Sequence, residues 1–325
     1  MVKPAEQYYR WIEQEISRGK YGKSPESLYE PIRYIMRIGG KRLRPMLMLF
    51  GYSLFKDNPR EVVKYAVAIE AFHNFTLMHD DIMDKAPIRR GKPTVHKKWN
   101  VNTAILSGDV MLVKVYDMFT DLDPVLLPRV LRAFNQCASE VCEGQQWDME
   151  FEQQQKVSER EYINMIRLKT SVLIGFSLEL GGILAGASEA DCRGLRAFGT
   201  NIGIGFQLQD DFLDAYADPT KFGKQVGGDI IANKKTFLLI KALEAASGND
   251  KRELAKWLGA TRFKKQEKVE GVKTIYDHLG IAKLTERATN LYFKKGFSDL
   301  QNLSCGVDRA EGLRQFAENL ISRQV

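Results

Sequence analysis

The sequence predicts an all-α fold, a helical bundle that forms a single domain over residues 1–325. Helical periodicity dominates the chain, and no convincing run of alternating apolar and polar residues indicates a strand. No internal repeat, low-complexity segment or Gly/Ser-rich linker marks a domain boundary. A chain of 325 residues can bury a large core in one such bundle.

Prolines and glycines set the boundaries of the predicted helices. Prolines occur where a helix would begin or a loop would turn, at Pro4, Pro31, Pro45, Pro59, Pro124 and Pro128. No proline follows Pro219, so the last third is predicted to be helical, with breaks at Gly248, Gly271, Gly280 and Gly306. The predicted helices span roughly 5–18, 26–38, 45–55, 59–84, 102–119, 126–150, 158–185, 189–216, 233–247, 264–279, 282–296 and 308–323.

The longest apolar stretch, SVLIGFSLELGGILAG at 171–186, predicts a buried core helix. Glu179 interrupts it, and it is shorter than the ~20 residues that span a bilayer, so no transmembrane segment is predicted. Its glycines, Gly175, Gly181 and Gly182, would permit close approach of neighbouring helices.

Composition and charge narrow the class of partner. The chain is 44% hydrophobic and 27% charged, with a net charge of +7, which favours an acidic partner such as nucleic acid, a lipid surface or a phosphorylated small molecule. No dense Lys/Arg tract with interleaved aromatic residues occurs, which argues against nucleic acid. The four cysteines lack CxxC spacing, and the N-terminus has no apolar signal-peptide region, so a cytoplasmic protein with reduced thiols is predicted.

The stretch HDDIMDKAPIRRG, residues 79–91, gathers three aspartates at the end of a helix. The preceding segment is apolar on most sides, which is typical of a helix in the centre of a fold. Asp80 and Asp84 are four residues apart and Asp81 and Asp84 three apart, so the carboxylates share one face. Like charges repel there, so a cation is expected to occupy the site.

A second acidic motif, GFQLQDDFLD, also follows an apolar helical run. It supplies Asp210, Asp211 and Asp214, with Gln207 one turn earlier. Two such motifs facing each other across a bundle would hold six carboxylates. Hard oxygen ligands without histidine at metal spacing favour Mg²⁺, which is usually shared with substrate phosphates. The sequence therefore predicts a magnesium site for a phosphorylated ligand.

Basic residues near these motifs fit the same kind of ligand. Arginine matches phosphate oxygens in a bidentate way, and lysine adds a point charge. The residues in question are Arg89 and Arg90 after the first motif, Lys41, Arg42 and Arg44 in GGKRLRP, Lys169 beside Thr170, and Lys224 and Lys234. The presence of separate acidic and basic clusters predicts a site that binds two anionic ligand groups. The acidic cluster would hold one through metal, and the basic residues would hold the other directly.

Together these motifs resemble those of a known family, the trans-isoprenyl diphosphate synthases or polyprenyl synthetases. The matching segments, which fall within residues 39–236, are GGKRLRP, FHNFTLMHDDIMDKAPIRRGKPTVH, the Lys169-Thr170 pair, GFQLQDDFLDAYADPTKFGK and GGDIIANKKT. The resemblance implies an isoprenoid-synthase type of bundle around a deep central cavity, as a homodimer. It also implies head-to-tail condensation of isopentenyl diphosphate with an allylic diphosphate: dimethylallyl, geranyl or farnesyl diphosphate.

The resemblance also implies roles for individual residues. Three Mg²⁺ ions around the allylic diphosphate would be bound by Asp80, Asp81, Asp84, Asp210, Asp211 and Asp214. The allylic diphosphate itself would contact Arg89, Lys169, Lys224 and Lys234. Isopentenyl diphosphate would be held by Lys41, Arg44, His73 and Arg90. Thr170 and Gln207 would border the developing allylic cation.

Product length is predicted from the helix that precedes Asp80. Phe75 lies five residues before Asp80, about 7.5 Å along the axis, with Thr76 next to it and Phe72 one turn above. In the family, an aromatic residue five positions before the first aspartate forms the bottom of the pocket. Aromatic residues at both the fifth and the fourth position before it favour the C15 product. Only one of the two is aromatic here, so a short product is expected, with C20 favoured over C15. The alternative is that Phe72 and Phe75 belong to the core and a partner helix sets the length.

Other readings of the motifs stay open. A class I terpene cyclase shares DDxxD and ionisation chemistry, but has no need of a GGKRLRP-type site. A longer-chain polyprenyl synthase shares all the motifs. A di-iron bundle would use the ExxH pair Glu70 and His73, but needs a second such pair, which the sequence lacks. A non-catalytic subunit of a heteromeric synthase would be expected to lack one of the two acidic motifs.

Overall fold

The structure is a computed structural model that describes residues 3–217 and 226–322, and it is almost entirely helical. The α-helices of this part of the chain are α1 (Lys3–Arg18), α2 (Glu26–Arg37), α3 (Leu43–Ser53), α4 (Val63–Met83), α5 (Val95–Lys98), α6 (Val101–Phe119), α7 (Leu127–Gln153), α8 (Glu159–Ile166), α9 (Val172–Leu184), α10 (Glu189–Tyr216), α11 (Gly228–Ile231), α12 (Phe237–Ala245), α13 (Gly248–Gly259), α14 (Lys265–His278), α15 (Ile281–Gln301) and α16 (Val307–Ser322). A 3₁₀ turn, Pro59–Val62, precedes α4, and a π-helical turn, Arg167–Ser171, joins α8 to α9. The predicted all-α class is confirmed.

The chain divides into two compact units, and neither is one contiguous segment. Unit 1 comprises Met1–Gln136, Phe176–Arg196 and Leu303–Phe316, and unit 2 comprises Cys137–Gly175, Ala197–Asn302 and Ala317–Val325. The organisation as a single domain over 1–325 stays a prediction.

Helix α4 is the centre of unit 1. It packs against α1, α2, α3, α5 and α6, and its apolar positions are buried nearly all round. Gly181 on α9 is needed for a close approach, because a Cβ there would lie 2.2 Å from the carbonyl oxygen of Met48. These contacts bury the N-terminal part of α4 and leave its C-terminal end to carry the first aspartate motif.

Unit 2 holds two hydrophobic clusters of its own. One joins α12, α13, α14 and the end of α10 around Leu238, Leu254 and Tyr276. The other joins α8, α10 and α12 around Tyr162, Leu208 and Phe237. The second motif, at the end of α10, therefore lies between two packed clusters of the same unit.

Several sequence-based boundaries are wrong, each for a local reason. Pro31 does not begin a helix but lies inside α2, where it is buried; its missing N–H removes only one bond near the start, and packing sustains the helix. Gly271 does not break α14 but gives room to the ring of Trp257, 2.5 Å from where its Cβ would be. Helix α13, which begins at Gly248, was not predicted at all.

A short hairpin follows α4 and contains both predicted arginines of the first motif. Strands β1 (Ile88–Arg89) and β2 (Lys92–Pro93) are antiparallel, with Arg89 opposite Lys92. Arg90 and Gly91 form the turn with φ of 52° and 72°, and positive φ at both central residues is the I′ hairpin geometry. These strands were not predicted, because two-residue strands have no measurable periodicity.

None of the helices within 3–217 and 226–322 combines the length and apolar character needed to cross a membrane.

Candidate active site

The first acidic motif ends α4, and the hairpin folds back onto it. The side chain of Asp81 is 2% exposed and accepts hydrogen bonds from Arg89 Nε, at 2.8 and 2.9 Å to its two oxygens. Arg89 Nη2 lies 2.7 Å from Asp81 and 3.7 Å from Asp80. Asp84, at the end of the helix, is exposed. The motif thus has a buried, arginine-bonded member and two members that reach solvent.

Backbone and side-chain bonds fix this hairpin against α4. The N–H of Ala86 donates to the carbonyl of Asp81 at 3.0 Å, and Thr94 Oγ1 donates to the carbonyl of Ala86 at 2.7 Å. Arg89 is therefore placed by the fold of the PIRRGKPT segment, not by a flexible loop. Burial lowers the pKa of Arg89, but its bond to Asp81 and the charges of the motif outweigh burial and raise it overall, so the guanidinium stays charged.

Three of the residues predicted to hold isopentenyl diphosphate lie together in unit 1. Arg44 Nη1 donates to His73 Nε2 at 3.1 Å. Arg90 Nη1 donates to the carbonyl of Gly39. The guanidinium of Arg90 packs so closely on Gly40 that a Cβ there would lie 2.8 Å from Arg90 Cζ. Gly40 thus makes room for Arg90, and Gly39 supplies the carbonyl that accepts its hydrogen bond.

His73 is neutral in this setting. Desolvation lowers the pKa of His73 well below 6.5, and the charges of Arg44 and Arg90 lower it further. Because arginine can only donate, His73 Nε2 must accept, which places the ring proton on Nδ1. Lys41 is exposed, and its contact with isopentenyl diphosphate stays a prediction.

Arg42 has a structural position, which corrects its grouping with Lys41 and Arg44 as a phosphate-binding base. It is 2% exposed, and its guanidinium pairs with Glu70 at 2.7 Å, Glu13 at 2.6 Å and the carbonyl of Met36 at 2.7 Å. Its left-handed backbone, with φ of 46°, turns the side chain inward. The same contacts argue against a di-iron site, because the two residues of the ExxH pair are bonded to arginines: Glu70 to Arg42 and His73 to Arg44.

The second acidic motif ends α10 and also has one buried, bonded member. Asp211 is 5% exposed; the hydroxyl of Tyr162 donates to its Oδ2 and Gln207 Nε2 donates to its Oδ1 at 3.2 Å. Burial raises the pKa of Asp211 to about 7, although the Tyr162 bond opposes this. Asp210 is exposed, and Asp214 Oδ2 accepts from the backbone N–H of Asp229 at 2.9 Å.

Lys169 and Thr170 lie in the π-helical turn, and a residue that the sequence analysis missed is bonded to Lys169. Asp148 on α7 accepts from Lys169 Nζ at 2.6 Å. Nothing in the local pattern QQWDME distinguishes Asp148 from a solvated helix acid. Its role becomes visible only when α7 packs on the turn.

The GGDIIANKKT segment places a further carboxylate beside the second motif. Burial raises the pKa of Asp229; the charge of Lys234 opposes this, while Asp214 and Asp210 add to it. No role was predicted for Asp229, although its position in the GGD motif was an available signal. Lys234 is bonded through its backbone N–H to the carbonyl of Asp229 at 2.9 Å. Lys224 lies outside the described residues.

The predicted chain-length residues differ in burial. Phe72 is 1% exposed and packs its ring on Phe134, with centroids 5.1 Å apart, as part of the core. Phe75 is half-buried, 5.7 Å from the ring of Phe72 and 4.8 Å from that of His79. Thr76 is half-buried and donates its hydroxyl to the carbonyl of His73 at 2.8 Å. Their role in product length stays a prediction.

Each acidic motif, taken by itself, offers donors that fit a hard cation. Carboxylate oxygens are the ligands that Mg²⁺ prefers, and exposed carboxylates such as Asp84 and Asp210 remain accessible at both motifs. Asp81 and Asp211 would have to share their oxygens with Arg89 and Tyr162. In the part of the chain that the structure describes, no three His, Cys, Asp or Glu side chains already form a metal-binding group. The six-aspartate ligand set stays a prediction.

Comparison with known proteins decides the family. The sequence model of polyprenyl synthetases matches residues 25–278. The chain belongs to the polyprenyl synthetase family. Its similarity to other members extends over nearly the whole chain, so the motifs and the helical bundle around them are those of one family.

Two curated relatives and one solved structure show how close the likeness is. Over 222 residues, which are 68% of each chain, the sequence is 43% identical to a geranylgeranyl diphosphate synthase of Methanosarcina mazei. Over 306 residues, 91% of each chain, it is 38% identical to one of Sulfolobus acidocaldarius. A crystal structure of a geranylgeranyl pyrophosphate synthase superposes with a TM-score of 0.93, at 42% identity and 99% coverage of both chains.

Proposed function

We propose that this polyprenyl synthetase condenses isopentenyl diphosphate head-to-tail with an allylic diphosphate to give a short all-trans prenyl diphosphate, with C20 favoured over C15. The allylic substrate would be dimethylallyl, geranyl or farnesyl diphosphate. The observation that carries the proposal is that both acidic motifs are intact in a chain whose relatives include geranylgeranyl diphosphate synthases. The enzyme would act in the cytoplasm as a single domain.

Magnesium is the cofactor that the donor set supports, with three ions expected in each site. They would be held by Asp80, Asp81, Asp84, Asp210, Asp211 and Asp214. When bound, the metal acts as a Lewis acid for the leaving diphosphate. Arg89, Lys169, Lys224 and Lys234 would contact that diphosphate, adding preplaced charge that stabilises it as the C–O bond breaks.

The group around His73 suits the second substrate. Arg44 and Arg90 are fixed in place, by the ring of His73 and by the carbonyl of Gly39, and Lys41 lies three residues before Arg44 in the chain. A neutral imidazole whose Nε2 already accepts from Arg44 offers its Nδ1 proton as a donor. Isopentenyl diphosphate would thus meet two guanidinium groups, an ammonium group and a neutral donor.

An apolar pocket is required once the diphosphate leaves. The allylic cation would be quenched by water, so the reaction needs a dry lining. The half-buried Phe75 and Thr76 on α4 are the residues proposed to line it, with the buried aromatic residues Phe72 and Phe134 behind them. Thr170 and Gln207 would border the cation, and the released diphosphate would accept the final proton.

Product sizing tests the proposal. Purified protein incubated with labelled isopentenyl diphosphate, Mg²⁺ and each allylic diphosphate should give C20 as the main product, with C15 second when the allylic substrate is dimethylallyl or geranyl diphosphate. A requirement for isopentenyl diphosphate separates this enzyme from a terpene cyclase, which needs the allylic diphosphate alone. A main product of C30 or longer would refute the short-chain assignment.

Replacing Phe75 by alanine is expected to lengthen the main product by at least one isoprene unit, because the ring is proposed to floor the pocket. The measurement is the product distribution under the same conditions as for the wild type. A Phe263→Ala change is a suitable control. That ring packs on Lys268, far along the chain from α4, so its loss should leave the product distribution unchanged. An unchanged distribution in Phe75→Ala would favour the view that another helix sets the length.

A homodimer is proposed from one face of α6. Val101, Ile105, Leu106 and Val113 lie on this face and are 40 to 58% exposed. Large apolar residues clustered on one helix face are typical of a surface that is covered in the assembly. Analytical ultracentrifugation should give twice the chain mass of 37.0 kDa, and a monomer at micromolar concentration would contradict the proposal.

A further inference from the structure

The π-helical turn that carries Lys169 and Thr170 is defined by its hydrogen bonds. The N–H of Val172 bonds to the carbonyl of Arg167, five residues back, where an α-helix would use a carbonyl four residues back. The hydroxyl of Ser171 donates to the carbonyl of Ile166 at 3.2 Å. The turn therefore contains an extra residue, which its surroundings must hold in place.

Two glycines on neighbouring helices let their backbones press on this turn. A Cβ on Gly144 of α7 would lie 2.1 Å from the backbone nitrogen of Lys169 and 2.6 Å from its Cα. A Cβ on Gly203 of α10 would lie 2.8 Å from the Cα of Ser171. These atoms are backbone or the root of a side chain, and they have no flexible end that could swing aside. Any larger residue at either position must push the turn away.

The side chain of Lys169 is fixed by the same helix as its backbone. Asp148 lies one turn after Gly144 on α7, and its Oδ2 is 2.6 Å from Lys169 Nζ. Both side chains are largely buried, at 19% and 25% exposure, so the pair is shielded from competing water. Helix α7 thus determines where the turn lies and where its ammonium group points.

We propose that Gly144, Gly203 and Asp148 are positioning residues for Lys169. The two glycines hold the π-helical turn between α7 and α10, and Asp148 aims the ammonium group that contacts the allylic diphosphate. This inference rests on the proposed function, since it concerns the delivery of Lys169 to that substrate. None of the three residues need touch substrate itself.

The test compares glycine-to-alanine variants at a crowded and an open position. Gly144→Ala should lower kcat/KM for geranyl diphosphate at least tenfold, while the KM for isopentenyl diphosphate stays at its wild-type value. Gly259→Ala is the matched control, because a Cβ there would meet nothing within 4 Å. General damage to the fold would raise both KM values, so the selective effect separates positioning from stability.

Asp148→Asn provides a second arm that leaves the backbone untouched and decides the matter where Gly144→Ala does not fold. It should likewise lower kcat/KM for geranyl diphosphate and leave the KM for isopentenyl diphosphate at its wild-type value. In the double variant Asp148→Asn/Lys169→Ala, kcat/KM should equal that of Lys169→Ala alone, because Asp148 acts only through Lys169.

Two results would overturn the inference. One is wild-type kinetics in a folded Gly144→Ala or in Asp148→Asn, and the other is multiplication of the two single effects in the double variant. A wild-type protein that forms no product from isopentenyl and geranyl diphosphates would instead overturn the proposed function. The two failures are therefore distinguishable.

Discussion

Asp80→Ala is expected to lower kcat/KM on the order of 10³-fold, and Asp210→Ala by a similar factor, in line with the loss of preorganised charge stabilisation in other enzymes. Each change removes one carboxylate from a motif whose neighbouring aspartate is already bonded to Arg89 or Tyr162. The remaining oxygens would hold Mg²⁺ more weakly, and the leaving diphosphate would lose that stabilisation. Steady-state rates with geranyl diphosphate across a Mg²⁺ titration measure the effect.

Asp57→Ala is the control for these two variants. Its carboxylate is 94% exposed and pairs with Arg309, so its loss should leave kcat/KM unchanged. The proposed variants should also show a higher Mg²⁺ requirement than the wild type, which a purely structural change would not produce. Full activity in both Asp80→Ala and Asp210→Ala would remove the basis of the metal site and revive a non-catalytic role.

Long amphipathic and apolar helices could be predicted from the sequence because their periodicity extends over several turns. Helix α10 was placed at 189–216, and the structure has Glu189–Tyr216. Helix α13 was missed because its core-facing residues, Leu254, Trp257 and Leu258, span little more than one turn, which is too short to show a helical periodicity. The break in the predicted helix 158–185 was missed for another reason: the π-helical turn depends on glycines of α7 and α10, which lie far away in the sequence.

The sequence predicts which residues belong to the candidate site, but not which side chains bond to each other. The DDxxD motifs and the RR pair are local patterns, whereas Asp148 and Tyr162 acquire a role only by contact with Lys169 and Asp211. The motif GGKRLRP shows the limit within one segment. Its arginines Arg42 and Arg44 are two residues apart, yet one enters the core and the other meets His73. Backbone conformation at Arg42, which no periodicity encodes, decides between the two.

Arg42→Met is expected to destabilise the fold by about 3–5 kcal/mol, because it strands the buried carboxylate of Glu70. The guanidinium side chain is 0% exposed and that of Glu70 2% exposed, so water cannot replace the lost partner. The change also removes the bonds to Glu13 and to the carbonyl of Met36. Chemical denaturation, followed by circular dichroism, measures the change in the free energy of unfolding.

Two further variants show whether the buried charge is the cause. Arg309→Met breaks a pair with Asp57 that is 43% and 94% exposed, and should cost less than about 1 kcal/mol. Arg42→Met/Glu70→Met removes both buried charges and should recover most of the lost stability, because an apolar pair of similar volume needs no ionic partner. If the double variant were no more stable than Arg42→Met, the loss would lie in the bonds to Met36 and Glu13, which hold the start of α3. The same segment presents Arg44 to His73, so that result would tie stability to the geometry of the proposed isopentenyl diphosphate site.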